Sequence, residues 1–188
     1  MTGDLSDDAR LRTAHPADAA SIAMLHAESW RSAYRGIYAD AYLDGPVHQE
    51  RDRVWTARFA GPSDRIVILA EAPDRVEALG FCCIEPSAHP VWGSLIDNLH
   101  LRPGLGRRGL GRRILREAAS RLTTGLHAAT AMHLTVLEQN APAVAAYERW
   151  GGREVERSRC REPDGQLHPI RRYAWASPAA LIEALDRP

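Results

Sequence analysis

A chain of 188 residues, 45% apolar and 26% charged, is long enough to bury a core of its own and points to one domain. Its 24 basic residues, all arginine, balance 24 acidic ones, which excludes bulk attraction to nucleic acid or to an anionic membrane. No apolar run approaches the roughly eighteen residues of a membrane span, no signal peptide opens the chain, and three cysteines without zinc spacing read as reduced thiols, so a cytoplasmic protein without a metal is expected.

In chain order, residues 1–9 are polar and read as a flexible N-terminus, 10–176 as the domain, and 177–188 as a helical tail. Arg10 to Arg12 reads as a short first strand. Pro16-Ala17-Asp18 opens a helix, with Pro and an acid in its first turn, and Ile22, Leu25, Ser29 and Trp30 lie near one face. An aromatic-rich segment, Trp30 to Ile37, follows. After the break at Gly45-Pro46, His48 to Ala60 is predicted as a helix with Val54, Trp55 and Phe59 inward. Arg65 to Glu71 and Glu77 to Ile84 read as strands around a Pro73-Asp74-Arg75 turn, and Glu85 to Trp92, with Pro86 and Pro90, as a loop. The apolar strand Leu95 to Leu101 then enters a turn rich in Gly and Arg, Arg102 to Gly111. The next helix turns Leu110, Ile114, Leu115, Ala118 and Leu122 inward, with Gly125 as its expected stop. A strand from Met132 to Leu137 leads to a helix that opens at Asn140 and carries Tyr147. Val155 to Cys160 and His168 to Trp175 form a closing antiparallel pair about Pro163-Asp164-Gly165, and Ser177-Pro178 caps the tail helix.

Strand, glycine turn, helix, strand is a βαβ unit, and its turn lies where a helix N-terminus can hold an anion. Gly104, Gly106, Gly109 and Gly111 let the backbone approach a ligand, and the first N–H groups of the helix have no intrahelical partner. Arg107, Arg108, Arg112 and Arg113 add charge, so the turn reads as a cradle for a pyrophosphate, or as a tight βα turn with a solvated Arg face. A Walker loop is excluded, because Arg112-Arg113 follows Gly111 and the chain has no lysine. Gly104 to Gly109 fits the dinucleotide pattern G-x-G-x-x-G, but it lies mid-chain behind Pro103 and has no acid about twenty residues on. A dinucleotide-binding oxidoreductase is therefore an alternative reading.

Leu99-His100-Leu101-Arg102-Pro103 followed by Arg108-Gly109-Leu110-Gly111-Arg112-Arg113-Ile114-Leu115 resembles the acetyl-CoA signature of the GNAT N-acetyltransferases. Asn140 through Gly152, with Tyr147 seven residues after the Asn, resembles that family's second signature at the family's usual separation. Gly106 stands where the family usually has Gln or Arg, a departure with little effect on a loop that works through backbone N–H groups. The resemblance implies an α/β fold of the α+β type, a single GNAT-like domain. Its central mixed, twisted sheet of six to seven strands would be flanked by helices, with splayed central parallel strands. It implies an acyltransferase that moves an acetyl group from acetyl-CoA to a primary amine through a ternary complex. Backbone of Leu99, His100 and Leu101 would then contact the pantetheine arm, N–H groups from Gly106 through Arg107, Arg108, Gly109, Leu110, Gly111 and Arg112 would hold the pyrophosphate, and Asn140 would fix the far end of the arm.

Tyr147 matches the family's general acid, a phenol that can donate to a departing thiolate. Asp97 shares its strand face with Leu95, Leu99 and Leu101, opposite His100. It reads either as the general base or as a carboxylate satisfying a nearby N–H or Arg, while His100 reads as a half-buried aromatic. Glu28, Trp30 and Tyr34 fall in or beside a segment, Trp30 to Ile37, that reads either as an aromatic core corner or, by resemblance to many bacterial members of the family, as the roof of the pocket for a small-molecule or peptide amine, where Glu28 could instead bind or deprotonate the amine through water. Aromatics around Trp30 to Tyr42 would also suit a homodimer contact. A second functional reading is a CoA-binding sensor that has lost turnover.

Overall fold

Seven strands, β1 (Arg10–Thr13), β2 (Ile66–Glu71), β3 (Ala78–His89), β4 (Gly93–Leu101), β5 (Met132–Leu137), β6 (Arg153–Arg161) and β7 (Leu167–Trp175), form one sheet in the order β1-β2-β3-β4-β5-β7-β6. The computed structural model describes residues 8–73 and 77–187. The expected Pro73-Asp74-Arg75 turn therefore falls largely outside the described residues, as does most of the 1–9 segment. β1 and β2 run antiparallel, as do β5 and β7 and the β6–β7 hairpin. β4 and β5 run parallel, and among the described residues their ladder holds two pairs, Ser94 with Met132 and Leu95 with His133. A sheet with this much antiparallel pairing is not the doubly wound parallel sheet of a dinucleotide-binding domain, so the dinucleotide reading of the glycine turn fails.

The chain groups into two compact units, one running to Cys83 and including Asn98–Ala118, the other comprising Ile84–Asp97 and everything from Ala119. In the first, α1 (Ala19–Ala33) and α3 (Val47–Phe59) pack together, with the short α2 (Asp40–Leu43) between them in sequence. Their inward residues Ile22, Ala23, Leu25 and Trp55 form one core with Val67 and Leu69 of β2 and Ala78, Phe81 and Cys83 of β3. The predicted helix start at Pro16 is a 3₁₀ turn, Pro16–Asp18, where the Asp18 carboxylate accepts from His15 N at 2.7 Å. Arg12 binds both Asp18 and Glu71, tying β1 to β2 and to the entry of α1, and this pairing holds the Asp18 carboxyl below its usual range.

Gly80 and Phe81 point to opposite faces of β3. Phe81 enters the α1–α3 core, while a Cβ at Gly80 would lie 2.5 Å from Leu101 Cδ2 and 2.9 Å from Ile114 Cδ1 of α4 (Leu110–Ser120). The missing side chain is what seats the head of α4 against β3 and the end of β4. Leu110, Ile114, Leu115 and Ala118 are buried as the 3.6-residue period requires. The helix ends at Ser120 and not at Gly125: Leu122 N reaches back three residues to Ala119 O, and Thr123 Oγ1 donates to the Ser120 carbonyl at 2.8 Å. Gly125 instead opens a 3₁₀ turn.

In the second unit, β3 runs on to His89, where a loop was expected. Pro86 has no N–H to lose, and Ser87 takes the left-handed conformation with its N–H donated to Ser94 Oγ, so the strand passes the proline as an irregularity. Met132, Leu134, Tyr173 and Trp175 are buried in the β5–β7 ladder. α5 (Ala141–Arg149) and α6 (Pro178–Asp186) complete the unit; Leu181 and Leu185 make the tail helix part of its core, and Ser177 Oγ accepts from Ala180 N.

Gly80→Ala is expected to force Leu101 and Ile114 aside and to lower stability by about 1–3 kcal/mol. Urea unfolding at neutral pH measures this, and a variant of wild-type stability would show that the seat of α4 is not tight.

Candidate active site

β4 ends at Leu101, and the turn that follows is tied to β3 by Arg102 N to Leu79 O at 2.9 Å, by the Arg102–Glu77 ion pair, and by its own closure, Leu105 N to Arg102 O. Gly104, Arg107 and Gly109 all have positive φ. For Arg107 that conformation costs on the order of 1 kcal/mol, a strain held by the glycines on either side. Nothing lies within 4 Å of where a Cβ would stand at Gly104, Gly106 or Gly109, so the turn is open at these three positions. The first hydrogen bond of α4 runs from Arg113 N to Gly109 O, so the N–H groups of Leu110, Gly111 and Arg112 precede the helical ladder. Leu110 and Gly111 are buried on the protein side, Arg112 is half-buried, and Arg107 and Arg108 are exposed. Free N–H groups at the start of α4, the positive end of its dipole and nearby guanidinium groups give this turn a positive character.

On β4, Ser94, Ile96 and Asn98 are buried, while Leu95, Asp97, Leu99 and Leu101 are half-buried along the other face. Asp97 thus stands in the leucine row, as alternation predicts. His100 turns toward α1: its Nδ1 is 3.1 Å from Ser29 Oγ, and its ring lies 4.3 Å from His26 and 5.5 Å from Phe81. Burial pushes the His100 imidazole down to about 3, with Arg51 adding to the shift. Any contact His100 makes along the strand edge therefore falls to its backbone.

The α1 end builds an aromatic stack. Trp30, Tyr38 and Tyr42 are buried, and Tyr34 is half-buried with its ring 5.5 Å from Trp30 and 4.8 Å from Tyr38. These rings cover one another, so the exposed aromatics expected for a homodimer contact are not there. Glu28 is half-buried on the same helix. Beneath the stack lies a polar cluster the sequence reading missed. Arg51 of α3 is 8% exposed, with its Cζ 4.4 Å above the Trp30 ring and its Nη2 donating to Glu50 at 2.8 Å. Glu50 also accepts from Tyr42, and burial together with that bond raises the Tyr42 phenol above its ordinary range. His26, 2% exposed, accepts from Trp55 Nε1 at 3.0 Å. The signal was present: His26 and Arg51 each stand four positions from a core aromatic, Trp30 and Trp55, on the inward face of their helices.

In the second unit, Asn140 is the N-cap of α5, its side-chain oxygen accepting from Ala143 N at 3.4 Å. Tyr147 is half-buried two turns along that helix, its ring 5.8 Å from Trp150 and 6.4 Å from Tyr173. Gly152 N closes on Tyr147 O, and Gly151, left-handed, ends the helix. Among the described residues no group of three or more His, Cys, Asp or Glu could hold a metal ion, and no helix is long and apolar enough to cross a membrane.

A family model described as the acetyltransferase (GNAT) family matches residues 25–152. The chain is 26% identical over 179 residues to the uncharacterised N-acetyltransferase YuaI of Bacillus subtilis, covering 94% of this chain and 98% of that one. Its fold is similar to that of the PaiA N-acetyltransferase of Thermoplasma acidophilum, solved in complex with coenzyme A (TM-score 0.65, 18% identity, 88% of this chain and 99% of that one). It is also similar to yncA of Salmonella typhimurium, solved with its cofactor acetyl-CoA (TM-score 0.62, 15% identity, 90% and 94%).

His26 is also held well below its usual range, by burial first and then by His100, Arg51 and Arg58. Both imidazoles are neutral in the fold and bind protons more readily when unfolded. Stability is therefore full above about pH 6.5 and falls as pH drops below it, by up to about 1.4 kcal/mol per pH unit for each ring. Urea midpoints between pH 7 and pH 5 should fall less steeply in His100→Phe than in wild type. Equal slopes would mean that His100 titrates as a solvated imidazole.

Proposed function

Because the chain belongs to the GNAT acetyltransferase family and is therefore an acyltransferase, we propose that it transfers the acetyl group of acetyl-CoA to a primary amine by direct attack, with both reactants held at once. The observation that carries this reading is the turn from Arg102 to Gly109. It is left-handed at three positions, open where a Cβ would stand, and leads into the first N–H groups of α4. Those features fit a pyrophosphate in sign of charge and in allowing close approach of backbone. Coenzyme A or acetyl-CoA in two structural neighbours supports the same assignment.

Acetyl-CoA supplies the acyl group already activated as a thioester. N–H groups from Gly106 to Arg112 hold its pyrophosphate, with charge from Arg107 and Arg108. Leu99, His100 and Leu101 offer backbone groups to the pantetheine arm. Asn140 engages the far end of the arm. Asp97, in the leucine row of β4, takes the proton that the amine must lose to attack. Tyr147 delivers a proton to the sulfur as the carbon–sulfur bond breaks, which spares the step an unprotonated thiolate. Glu28, Trp30 and Tyr34 line the acceptor, a small molecule or a peptide.

The direct test is release of free thiol from acetyl-CoA across a panel of amines; no release with any amine would sink the reading. Gly106→Asp should leave the fold intact, because the position is open, and should weaken acetyl-CoA by at least about tenfold through charge repulsion that grows at low salt. Gly111, which is buried, would confound the same test. Tyr147→Phe should lower kcat by about 10²–10⁴ with KM for acetyl-CoA little changed, the pattern of a lost transition-state interaction. Near-wild-type kcat with a chemistry-limited amine would return Tyr147 to packing.

A further inference from the structure

The buried cluster under the aromatic stack holds three side-chain nitrogens without a hydrogen-bond partner. Trp55 Nε1 donates to His26 Nδ1, so Nδ1 bears no proton and the neutral ring carries it on Nε2. His26 Nε2 has no hydrogen-bond partner, and the same is true of Trp30 Nε1 and Arg51 Nε. Indole and guanidinium nitrogens only donate, so all three orphaned groups are N–H donors. All are buried, at 2%, 8% and 8% exposure for His26, Trp30 and Arg51. They are neighbours as well: the His26 and Trp30 rings are 4.8 Å apart, and Arg51 Cζ is 4.4 Å from the Trp30 ring.

The side-chain acceptors beside them are bonded to other groups. One Glu50 oxygen takes Arg51 Nη2 and the other takes Tyr42, while Ser29 Oγ is held by His100. A buried donor without a partner is costly, and three in one place are rarely left so. One water accepts two hydrogen bonds and must place two protons of its own, whereas a carboxylate accepts about four and donates none. Arg51 supplies one positive charge, partly balanced by Glu50, which suits a singly charged anion better than a phosphate. The half-buried ring of Tyr34 lies 5.5 Å from Trp30, so the cluster is one side chain below the surface, on the helix that carries Glu28.

We infer that His26, Trp30 and Arg51 form a carboxylate-binding subsite for the acceptor, and that the amine acetylated by this protein is an amino acid or another amino carboxylate. The inference rests on the proposed acetyl transfer, and it names the substrate class for that same site.

A calorimetric titration without acetyl-CoA separates the two. The protein is titrated with a panel of free amino acids and their N-acetyl derivatives, each matched to its methyl amide, which keeps the shape and removes the carboxylate. At least one carboxylate should bind saturably and at least about tenfold more tightly than its amide. Arg51→Met and Trp30→Phe should each reduce that affinity about tenfold, with Arg51→Lys falling between, while acetyl-CoA affinity stays at the wild-type value. If Arg51→Met does not fold, Trp30→Phe, which loses only the indole N–H and part of the ring, carries the test. No saturable binding by any member, equal affinity for the amides, or variants that bind like wild type would each overturn the subsite. Thiol release confined to amines without a carboxylate would overturn it too, while leaving acetyl transfer standing. Absence of thiol release with every amine would remove the transfer reading, and the titration would still report on the subsite.

Discussion

The glycine turn is placed by a close approach at Gly80. There the β3 backbone carries no side chain, and Leu101 at the end of β4 and Ile114 on α4 fill the space a Cβ would need. The next residue, Phe81, faces the opposite way and locks β3 to the α1–α3 core. Arg102 N bonds the same strand at Leu79, so the first residue of the turn and the first turns of α4 are fixed to one short piece of β3. With both ends held, the intervening residues must turn tightly, and three of them do so in the left-handed region, one of them an arginine. That geometry leads into the N–H groups that precede the ladder of α4, and the proposed cofactor contact depends on them.

The α1–α3 layer follows a different rule from an ordinary apolar core. Its center holds two imidazoles and a guanidinium, packed among Trp30, Trp55 and Phe81. Burial keeps both rings neutral, and a neutral imidazole with one nitrogen committed as an acceptor has only one way to place its proton. A polar group at such a position is costly to stability unless it meets a partner, which sets the unpartnered nitrogens of His26, Trp30 and Arg51 apart from the rest of this layer.

Arginine as the sole basic residue shapes the rest of the molecule. Its planar fork reaches two or three carboxylates at once, as Arg12 does with Asp18 and Glu71, Arg35 with Asp40 and Asp44, and Arg171 with Glu138 and Glu154. The edge strand β6 is exposed for most of its length and is rich in charge, with Arg153, Arg157, Arg159 and Arg161 beside Glu154 and Glu156, which discourages pairing with another sheet edge.

The sequence by itself determined the central βαβ unit. Four glycines and four arginines between an apolar strand and an amphipathic helix admit few backbone paths, and the Asn140–Tyr147 spacing follows from one helix with an N-cap. It also determined which face of β4 holds Asp97, because alternation is local. Loop and helix boundaries were less legible. Pro86 argued against a strand that in fact continues to His89, because the strand spends a left-handed serine and a Ser94 hydrogen bond to pass it. Gly125 looked like a helix stop, yet the chain leaves the helix five residues earlier, where Thr123 captures a terminal carbonyl. Only the tertiary structure decided that the aromatics near Trp30 pack on one another, that His100 faces α1, and that His26 and Arg51 meet beneath them. Such contacts join residues on separate helices and strands, and no periodicity within one element records which distant donor will be left without an acceptor.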